Sequence, residues 1–108
     1  MTFTEYQEDA VKTAVYGAGM HIIYPALGIG NEAGEVQGKV KKVLRDKNGV
    51  FDDDSKMAII SEMGDVLWYM AALCRDLGID LDLCAQKNIA KLRDRQARGV
   101  LQGSGDHR

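Results

Sequence analysis

Two pairs of acidic residues could together form a metal site. Glu32 and Glu35 lie three positions apart, and Glu62 and Asp65 repeat that spacing. Residues three apart are neighbours on a helix surface, so each pair presents its carboxylates together. Converging carboxylates repel one another and need a compensating cation. Oxygen ligands without imidazole or thiolate favour Mg²⁺, with Mn²⁺ as an alternative. The spacing predicts a divalent-metal site between two facing helices.

A glycine accompanies each acidic pair inside its predicted helix. Gly34 and Gly64 each cost about 1 kcal/mol relative to alanine, and close approach of a helix or ligand would explain that cost. A single Glu-x-x-Glu is more typical of a solvated helix face. The duplication favours a site, whereas His21 and His107 lie outside both pairs and argue against a ferritin-like di-iron centre.

Cationic and polar residues could bind a ligand carried by such a metal. Lys39 and Lys42 continue the helical arc of the first acidic pair, although Lys39 could instead be a surface ion-pair partner of Glu35. A similar arc on the last predicted helix contains Asn88, Lys91 and Arg95. Lysine and arginine beside a metal suit phosphate charge.

Aromatic residues and the C-terminal segment offer further candidates. Tyr69 follows Asp65 by one turn, so it could contact a sugar or simply pack. Base-pocket candidates are Tyr6, Tyr16 and Tyr24, whereas Trp68 is expected at an inter-subunit contact. The glycine-containing segment 100–108 is interpreted either as a disordered tail or as a lid whose Arg108 closes on phosphate.

Apolar periodicity predicts four helices that position these residues. The first helix is capped by Thr4 with Gln7 and ends between Gly17 and Met20, and the second covers Leu27 to Arg45. The third helix is capped by Asp54 or Ser55 and ends at Gly78. The fourth helix runs from its cap Asp80 to about Arg98. The third helix carries an inward stripe of Ile59, Met63, Val66, Met70, Leu73 and Leu77, and the fourth one of Leu81, Ala85, Ile89 and Leu92. These helices predict an all-α four-helix bundle over residues 1–99, completed by oligomerisation.

Composition bounds the class of protein. The 108 residues are 45% hydrophobic and 28% charged, which is ordinary for a soluble domain. No run approaches about 20 apolar residues, so no membrane span is expected. The formal charge of −2 argues against binding a nucleic acid polymer. Isolated Cys74 and Cys84, with no secretory signal at the start, predict a cytoplasmic protein.

Three segments together resemble the MazG-like all-α nucleoside triphosphate pyrophosphohydrolases, in particular small single-domain members. These segments are Leu27 to Val36, Glu62 to Tyr69 and Asn88 to Arg95, with Lys39 and Lys42 between the first two. The resemblance implies Glu32, Glu35, Glu62 and Asp65 as Mg²⁺ ligands, Lys39, Asn88, Lys91 and Arg95 near phosphates, and Tyr69 near the sugar. It also implies a homo-oligomer, either a dimer or a tetramer.

The activity implied by the resemblance is Mg²⁺-dependent hydrolysis of (deoxy)nucleoside triphosphates to nucleoside monophosphate and pyrophosphate, for house-cleaning or pool control. Glu35 or Glu62 would orient or deprotonate water. The sequence does not choose between these two acids, nor between attack at the α- and β-phosphorus. Alternatives are a phosphoribosyl-ATP pyrophosphohydrolase and a non-catalytic nucleotide-binding regulator.

Overall fold

The fold contains four α-helices and no strands. A computed structural model describes residues 1–108. The helices are α1 (Phe3–Ala10), α2 (Ile23–Asp46), α3 (Asp53–Asp76) and α4 (Leu81–Ala97), with single 3₁₀ turns at Val11–Thr13 and Ala18–Met20 between α1 and α2. The prediction of an all-α fold with four helices is confirmed.

The start of α1 differs from the prediction. Thr2 is the cap: its hydroxyl accepts from the Glu5 N–H at 3.1 Å, and its own N–H donates to Glu5 Oε1 at 3.1 Å. This reciprocal pair satisfies two backbone donors at once. The predicted cap at Thr4 is wrong, because the Thr4 hydroxyl donates to Asp80 Oδ1 instead.

α1 also ends earlier than the predicted range of Gly17 to Met20. The Ala10 carbonyl, which the next helical N–H would need, accepts from the Thr13 hydroxyl at 2.7 Å and from Trp68 Nε1 at 3.1 Å. Ala14 N–H therefore bonds to the Val11 carbonyl in a 3₁₀ turn. Side chains that compete for backbone groups end helices in this way.

The buried side chain of Gln7 ties α1 to the turn between α3 and α4. Its Nε2 donates to the carbonyls of Ala71 at 3.2 Å and Ile79 at 3.1 Å, and its Oε1 accepts from the Leu81 N–H at 3.0 Å. Since buried polar groups are costly to leave unpaired, these three bonds fix the direction in which α4 leaves the turn.

Helices α2 and α3 form a long hairpin that carries both acidic pairs. Each is 24 residues long, and they make the most extensive helix–helix contact in the chain. α2 begins at Ile23, before the predicted start, because Pro25 lies in the first turn where its missing N–H has no intrahelical partner to lose.

Asp52, rather than the predicted Asp54 or Ser55, caps α3. Its Oδ1 accepts from the Ser55 N–H at 2.8 Å. Lys47 Nζ also lies 3.0 Å from Asp52 Oδ2. Hydrogen bonds from Ser55 and Lys47 lower the pKa of Asp52 to about 2.

The four helices do not close into a compact bundle within one chain. The radius of gyration is 16.7 Å, whereas roughly 13 Å is expected for a compact chain of this length. The buried apolar side chains are Pro25, Val43, Ala71, Ala72 and Leu81.

The predicted inward stripes are only partly covered. On α4 Leu81 is buried, but Ile89 and Leu92 are 45% and 39% exposed. On α3 Met63 and Leu77 are 54% and 49% exposed. The reason is that α4 packs on α1 and α3 instead of lying along α2.

α3 has the length and composition of a membrane span, which the sequence was not expected to contain. An 18-residue window has a mean hydropathy of 1.3. An apolar helix that packs on neighbours in a soluble protein satisfies the same criterion.

Candidate metal centre

Three of the four predicted metal ligands converge where α2 faces α3. Glu32 on α2 and Glu62 and Asp65 on α3 each offer a carboxylate oxygen, and these oxygens all lie within 4.8 Å of one another. Glu35 is exposed and lies outside this group of three. The three residues Glu32, Glu62 and Asp65 are called the carboxylate cluster below.

Charge repulsion marks the carboxylate cluster. Partial burial raises the pKa of Glu32, and the neighbouring charges of Asp65, Glu62 and Glu35 raise it further. Glu35 therefore acts electrostatically on the cluster although it lies outside it. A set of hard oxygen donors whose charges oppose one another fits a divalent cation such as Mg²⁺ or Mn²⁺.

Lys39 bridges the two helices beside the carboxylate cluster. Its Nζ lies 3.8 Å from Glu62 Oε1, so the ion pair crosses from α2 to α3 and does not involve Glu35. Lys39 and Lys42 also line a cavity of about 180 Å³ at the adjoining end of the hairpin. Lys39 thus places positive charge next to a candidate metal ligand, whereas Lys42 lines only the adjoining cavity.

Tyr69 occupies the turn of α3 that follows Asp65 and contacts α2 at Gly28. A β-carbon on Gly28 would fall 2.3 Å from the Tyr69 ring, so this position requires glycine. Nearby Tyr24, burial, and the carboxylates of Glu32 and Asp65 all raise the pKa of Tyr69. Tyr69 therefore borders the carboxylate cluster.

An aromatic pocket adjoins Tyr69. A cavity of about 360 Å³ is lined by Tyr16, Tyr24, Trp68 and Tyr69 among others. Tyr16 and Tyr24 have ring centroids 5.0 Å apart, and Trp68 meets Tyr69 edge-on at 5.0 Å. The rings can stack on or edge against a planar ligand.

Trp68 is a pocket residue that the sequence interpretation missed. Within the chain its Nε1 donates to Thr13 Oγ1 at 2.8 Å, and its expected place at an inter-subunit contact stays a prediction. The one sequence feature that could have indicated a pocket role for Trp68 was its position directly before Tyr69. Of the other base-pocket candidates, Tyr6 does not line this cavity.

The glycines of the two acidic pairs have no close neighbour in the chain. A β-carbon added to Gly34 or Gly64 would meet nothing within 4 Å. No helix of the same chain therefore approaches these two glycines, and approach of a ligand stays a prediction. Gly28 is where the hairpin needs a glycine.

The cations of α4 lie with the C-terminal segment and not with the carboxylate cluster. Lys91 Nζ is 3.1 Å from Asp106 Oδ1, and Arg95 Nη2 donates to the Asp106 carbonyl at 2.8 Å. Hydrogen bonds from Lys91 and Arg95 lower the pKa of Asp106. Arg95 is 6% exposed, whereas Asn88 is exposed. Lys91 and Arg95 lie away from the carboxylate cluster because α4 packs on α1 and α3 rather than along α2.

The C-terminal segment folds back on itself around Arg108. The Arg108 guanidinium donates to the carbonyls of Val100, Leu101 and Gly105. All three of its nitrogens are thereby engaged with backbone. In this conformation Arg108 contacts its own segment rather than the carboxylate cluster.

Matches to known proteins cover most of the chain. Residues 26–100 match the family model described as the MazG nucleotide pyrophosphohydrolase domain. The chain is also 45% identical over 109 residues to the Gene 37 protein of Mycobacterium phage L5, covering 95% of this chain and 96% of that protein. No solved structure matches the chain. The matched segment includes the carboxylate cluster and α4 but not Arg108.

Proposed function

Because the chain belongs to the MazG nucleotide pyrophosphohydrolase family, we propose that it hydrolyses nucleoside triphosphates to nucleoside monophosphate and pyrophosphate in the cytoplasm, with Mg²⁺ as cofactor. The observation that carries this proposal is the convergence of Glu32, Glu62 and Asp65 within 4.8 Å. Such a cluster can hold a divalent cation, and a triphosphate is a ligand that Mg²⁺ commonly presents in proteins.

The carboxylate cluster would hold the metal, which supplies charge neutralisation for the triphosphate when bound. Glu35 is the better candidate for the general base, because it stands beside the cluster and is free of the ion pair that engages Glu62. Its exposed carboxylate can take a proton from water while the other three remain ligands.

In the proposed reaction a water oxygen attacks phosphorus and its proton passes to the base. The phosphoanhydride bond between the α- and β-phosphates breaks, and the products are nucleoside monophosphate and pyrophosphate whichever of the two phosphorus atoms is attacked. Lys39 is positioned to offset phosphate charge beside Glu62. The aromatic pocket, with Tyr69 at its border, would receive the sugar and base.

A substrate panel tests this proposal. Purified protein is incubated with the eight common nucleoside triphosphates, several modified ones and phosphoribosyl-ATP, with and without Mg²⁺, and pyrophosphate release is measured. We expect Mg²⁺-dependent release that Glu62→Gln abolishes. The matched control is Glu8→Gln, which removes an exposed carboxylate on α1 that is in no ion pair.

The outcomes separate the alternatives. Hydrolysis confined to phosphoribosyl-ATP would identify that activity instead. Mg²⁺-dependent nucleotide binding by calorimetry without any pyrophosphate would indicate a regulator and contradict the proposal. Phosphorus NMR of products formed in ¹⁸O-labelled water shows whether the α- or β-phosphorus is attacked.

A further inference from the structure

One wall of the aromatic pocket is formed by the chain between α1 and α2. Residues 14–22, which we call the strap, contribute four of the eight residues that line this cavity, namely Val15, Tyr16, Gly17 and Met20. The remaining wall includes Tyr24 on α2 and the adjacent Trp68 and Tyr69 on α3. The shape of the pocket therefore depends on where the strap lies.

The strap has little packing of its own to hold it. None of its residues is buried, and Val15 is 95% exposed. Its regular structure is limited to the 3₁₀ turn at Ala18–Met20. A β-carbon added to Gly17 or Gly19 would meet nothing within 4 Å. Segments with few buried contacts open most easily, so the position of the strap depends on its attachments to α3.

Two side chains of α3 attach the strap near its ends. Trp68 Nε1 donates to the Thr13 hydroxyl at 2.8 Å, directly before the strap begins. At the other end, Asp76 Oδ2 accepts from the Ile22 N–H at 2.9 Å and from the Tyr16 hydroxyl at 2.9 Å. The Asp76 side chain is fully buried. One carboxylate thus holds the strap both at a pocket-lining ring and at its junction with α2.

The turn that Asp76 holds is strained. Ile22 has a φ of 70° and a ψ of −57°, and the Ile23 N–H donates to the His21 carbonyl at 2.7 Å. This is the rarer, strained form of the γ-turn, and a β-branched side chain makes it less favourable still. Such a conformation persists only where its surroundings impose it. The hydrogen bond from Ile22 to Asp76 supplies that constraint, and without it the turn would relax and move the strap.

Asp76 also orients the ring of Tyr16. The Tyr16 hydroxyl donates to Asp76 and accepts from Arg75 Nη2 at 3.1 Å. Arg75 Nε in turn lies 2.8 Å from Asp76 Oδ1 and fixes the carboxylate. The Tyr16 ring centroid then lies 5.0 Å from that of Tyr24 and 6.5 Å from that of Trp68. Because its hydroxyl is engaged, Tyr16 offers a ligand its ring.

We propose that Asp76 is a positioning residue for the nucleoside part of the substrate, which it affects by holding the strap as the wall on which the base stacks. Asp76 does not line the pocket, so it acts through Tyr16 and through the turn at Ile22. The inference rests on the proposed function and deepens it. A residue of this kind changes how tightly the nucleoside binds and leaves the chemistry at the carboxylate cluster unchanged.

Tyr16→Phe is the main test, because it keeps the aromatic ring and removes only the hydroxyl that Asp76 holds. The KM for the best triphosphate should rise about threefold to tenfold, as expected for loss of one hydrogen bond. The kcat should stay within about twofold, since the carboxylate cluster is untouched. Asp76→Asn, which also weakens the hold on Ile22, should raise KM at least as much.

Asp9→Asn is the matched control for Asp76→Asn. It removes an exposed carboxylate on α1 that pairs with Lys12 and does not line the pocket. This variant should keep the wild-type KM and kcat. The double variant Tyr16→Phe/Asp76→Asn should have the KM of Asp76→Asn alone, because both substitutions break the same link. Additive increases in KM would contradict the inference.

Fluorescence gives a second readout that does not require turnover. Trp68 is the only tryptophan in the chain and lines the pocket, so nucleoside monophosphates that enter the pocket should change its emission. Tyr16→Phe and Asp76→Asn should raise the resulting Kd by about the same factor as KM. If wild type binds nucleotide but releases no pyrophosphate, the proposed function fails, and the Kd values still decide this inference. A Trp68 emission that no nucleotide changes overturns it.

A purely structural role for Asp76 predicts a different pattern. Thermal unfolding is followed by circular dichroism for each variant, and the kinetics are measured well below the lowest Tm. If both variants lose stability but keep the wild-type KM and Kd, Asp76 only stabilises the fold and the inference is overturned. A fall in kcat at unchanged KM also contradicts it. If Asp76→Asn does not fold, the KM and Kd of Tyr16→Phe decide the question.

Discussion

The ring of Tyr69 on α3 lies against the backbone of Gly28 on α2, so close that a β-carbon on residue 28 would fall 2.3 Å from Tyr69 Cδ1. This contact sets the separation of the two helices one turn away from Asp65. The hairpin spacing that brings Glu32 to Glu62 and Asp65 therefore depends on a glycine outside both acidic pairs.

Gly28→Ala should destabilise the protein by about 1–3 kcal/mol, because the added methyl group must displace the Tyr69 ring or separate the helices. Gly30→Ala is the matched control in the same helix, since its β-carbon would meet nothing within 4 Å. That control should be neutral or stabilising by up to about 1 kcal/mol. Urea denaturation measures both, and equal stability of the two variants would contradict the contact.

The carboxylates should separate into metal ligands and a base. Glu62→Gln should weaken Mn²⁺ binding by about tenfold or more, because it removes a member of the cluster. Glu35→Gln should leave Mn²⁺ affinity within about twofold but lower turnover by about 10² or more. Calorimetry without nucleotide measures the first quantity and pyrophosphate release the second. If Glu35→Gln loses as much Mn²⁺ affinity as Glu62→Gln, Glu35 is a metal ligand.

Asp76 should stabilise the connection between α1 and α2. Its fully buried carboxylate accepts from the Ile22 N–H at 2.9 Å and from the Tyr16 hydroxyl at 2.9 Å, and Arg75 Nε lies 2.8 Å away. Ile22 has a φ of 70°, which is strained for a β-branched residue. Asp76→Ala should therefore lower stability by about 2 kcal/mol, because it removes the shared acceptor of the Ile22 N–H and of the partly buried Tyr16 hydroxyl.

The effect of Asp76 should depend on pH. Burial raises its pKa, but hydrogen bonds from Ile22, Tyr16 and Arg75 outweigh burial, so the pKa is lowered from 3.8. A carboxyl group whose pKa is lower in the folded than in the unfolded protein stabilises the fold at pH values above its unfolded-state pKa. That stabilisation is lost as the pH falls through its folded-state pKa. The stability difference between wild type and Asp76→Ala should be largest near neutral pH and shrink as the pH falls below the ordinary value of 3.8 toward the lower folded-state pKa. A difference that grows in acid would contradict this assignment.

Asp106 should compete with substrate for the α4 cations. Asp106→Ala frees Lys91 and Arg95 from their carboxylate partner, and the KM for triphosphate should fall severalfold while kcat changes little. Asp94→Asn is the control, because it removes a carboxylate that pairs with Arg98 on the same helix. An increase in KM would instead mean that Asp106 holds the cations in their working positions.

The sequence determined the features that depend on local periodicity. Apolar spacing predicted four helices and no strands, and the repeated three-residue spacing of the acidic pairs placed on the facing sides of α2 and α3 the three carboxylates that converge, Glu32, Glu62 and Asp65, although it also predicted Glu35, which lies outside the cluster. These predictions held because helical geometry fixes which side chains share a face. Family resemblance in the same segments indicated a nucleotide pyrophosphohydrolase, in agreement with the match over residues 26–100.

The positions of the helix ends were beyond the sequence. Thr2 and Asp52 cap helices that Thr4, Asp54 or Ser55 could equally have capped by residue type, and the choice depends on which residue adopts extended backbone before the first turn. Local patterns offer several such candidates and do not rank them.

The long-range contacts were decided only by the tertiary structure. Lys39 pairs with Glu62 across the hairpin, Gly28 accommodates Tyr69, and Gln7 directs α4 away from α2. Each depends on how separate helices meet, which a periodic pattern within one helix cannot specify. The exposed stripe of α4 has the same cause: the sequence fixes which residues are apolar, but the packing direction decides whether their own chain buries them.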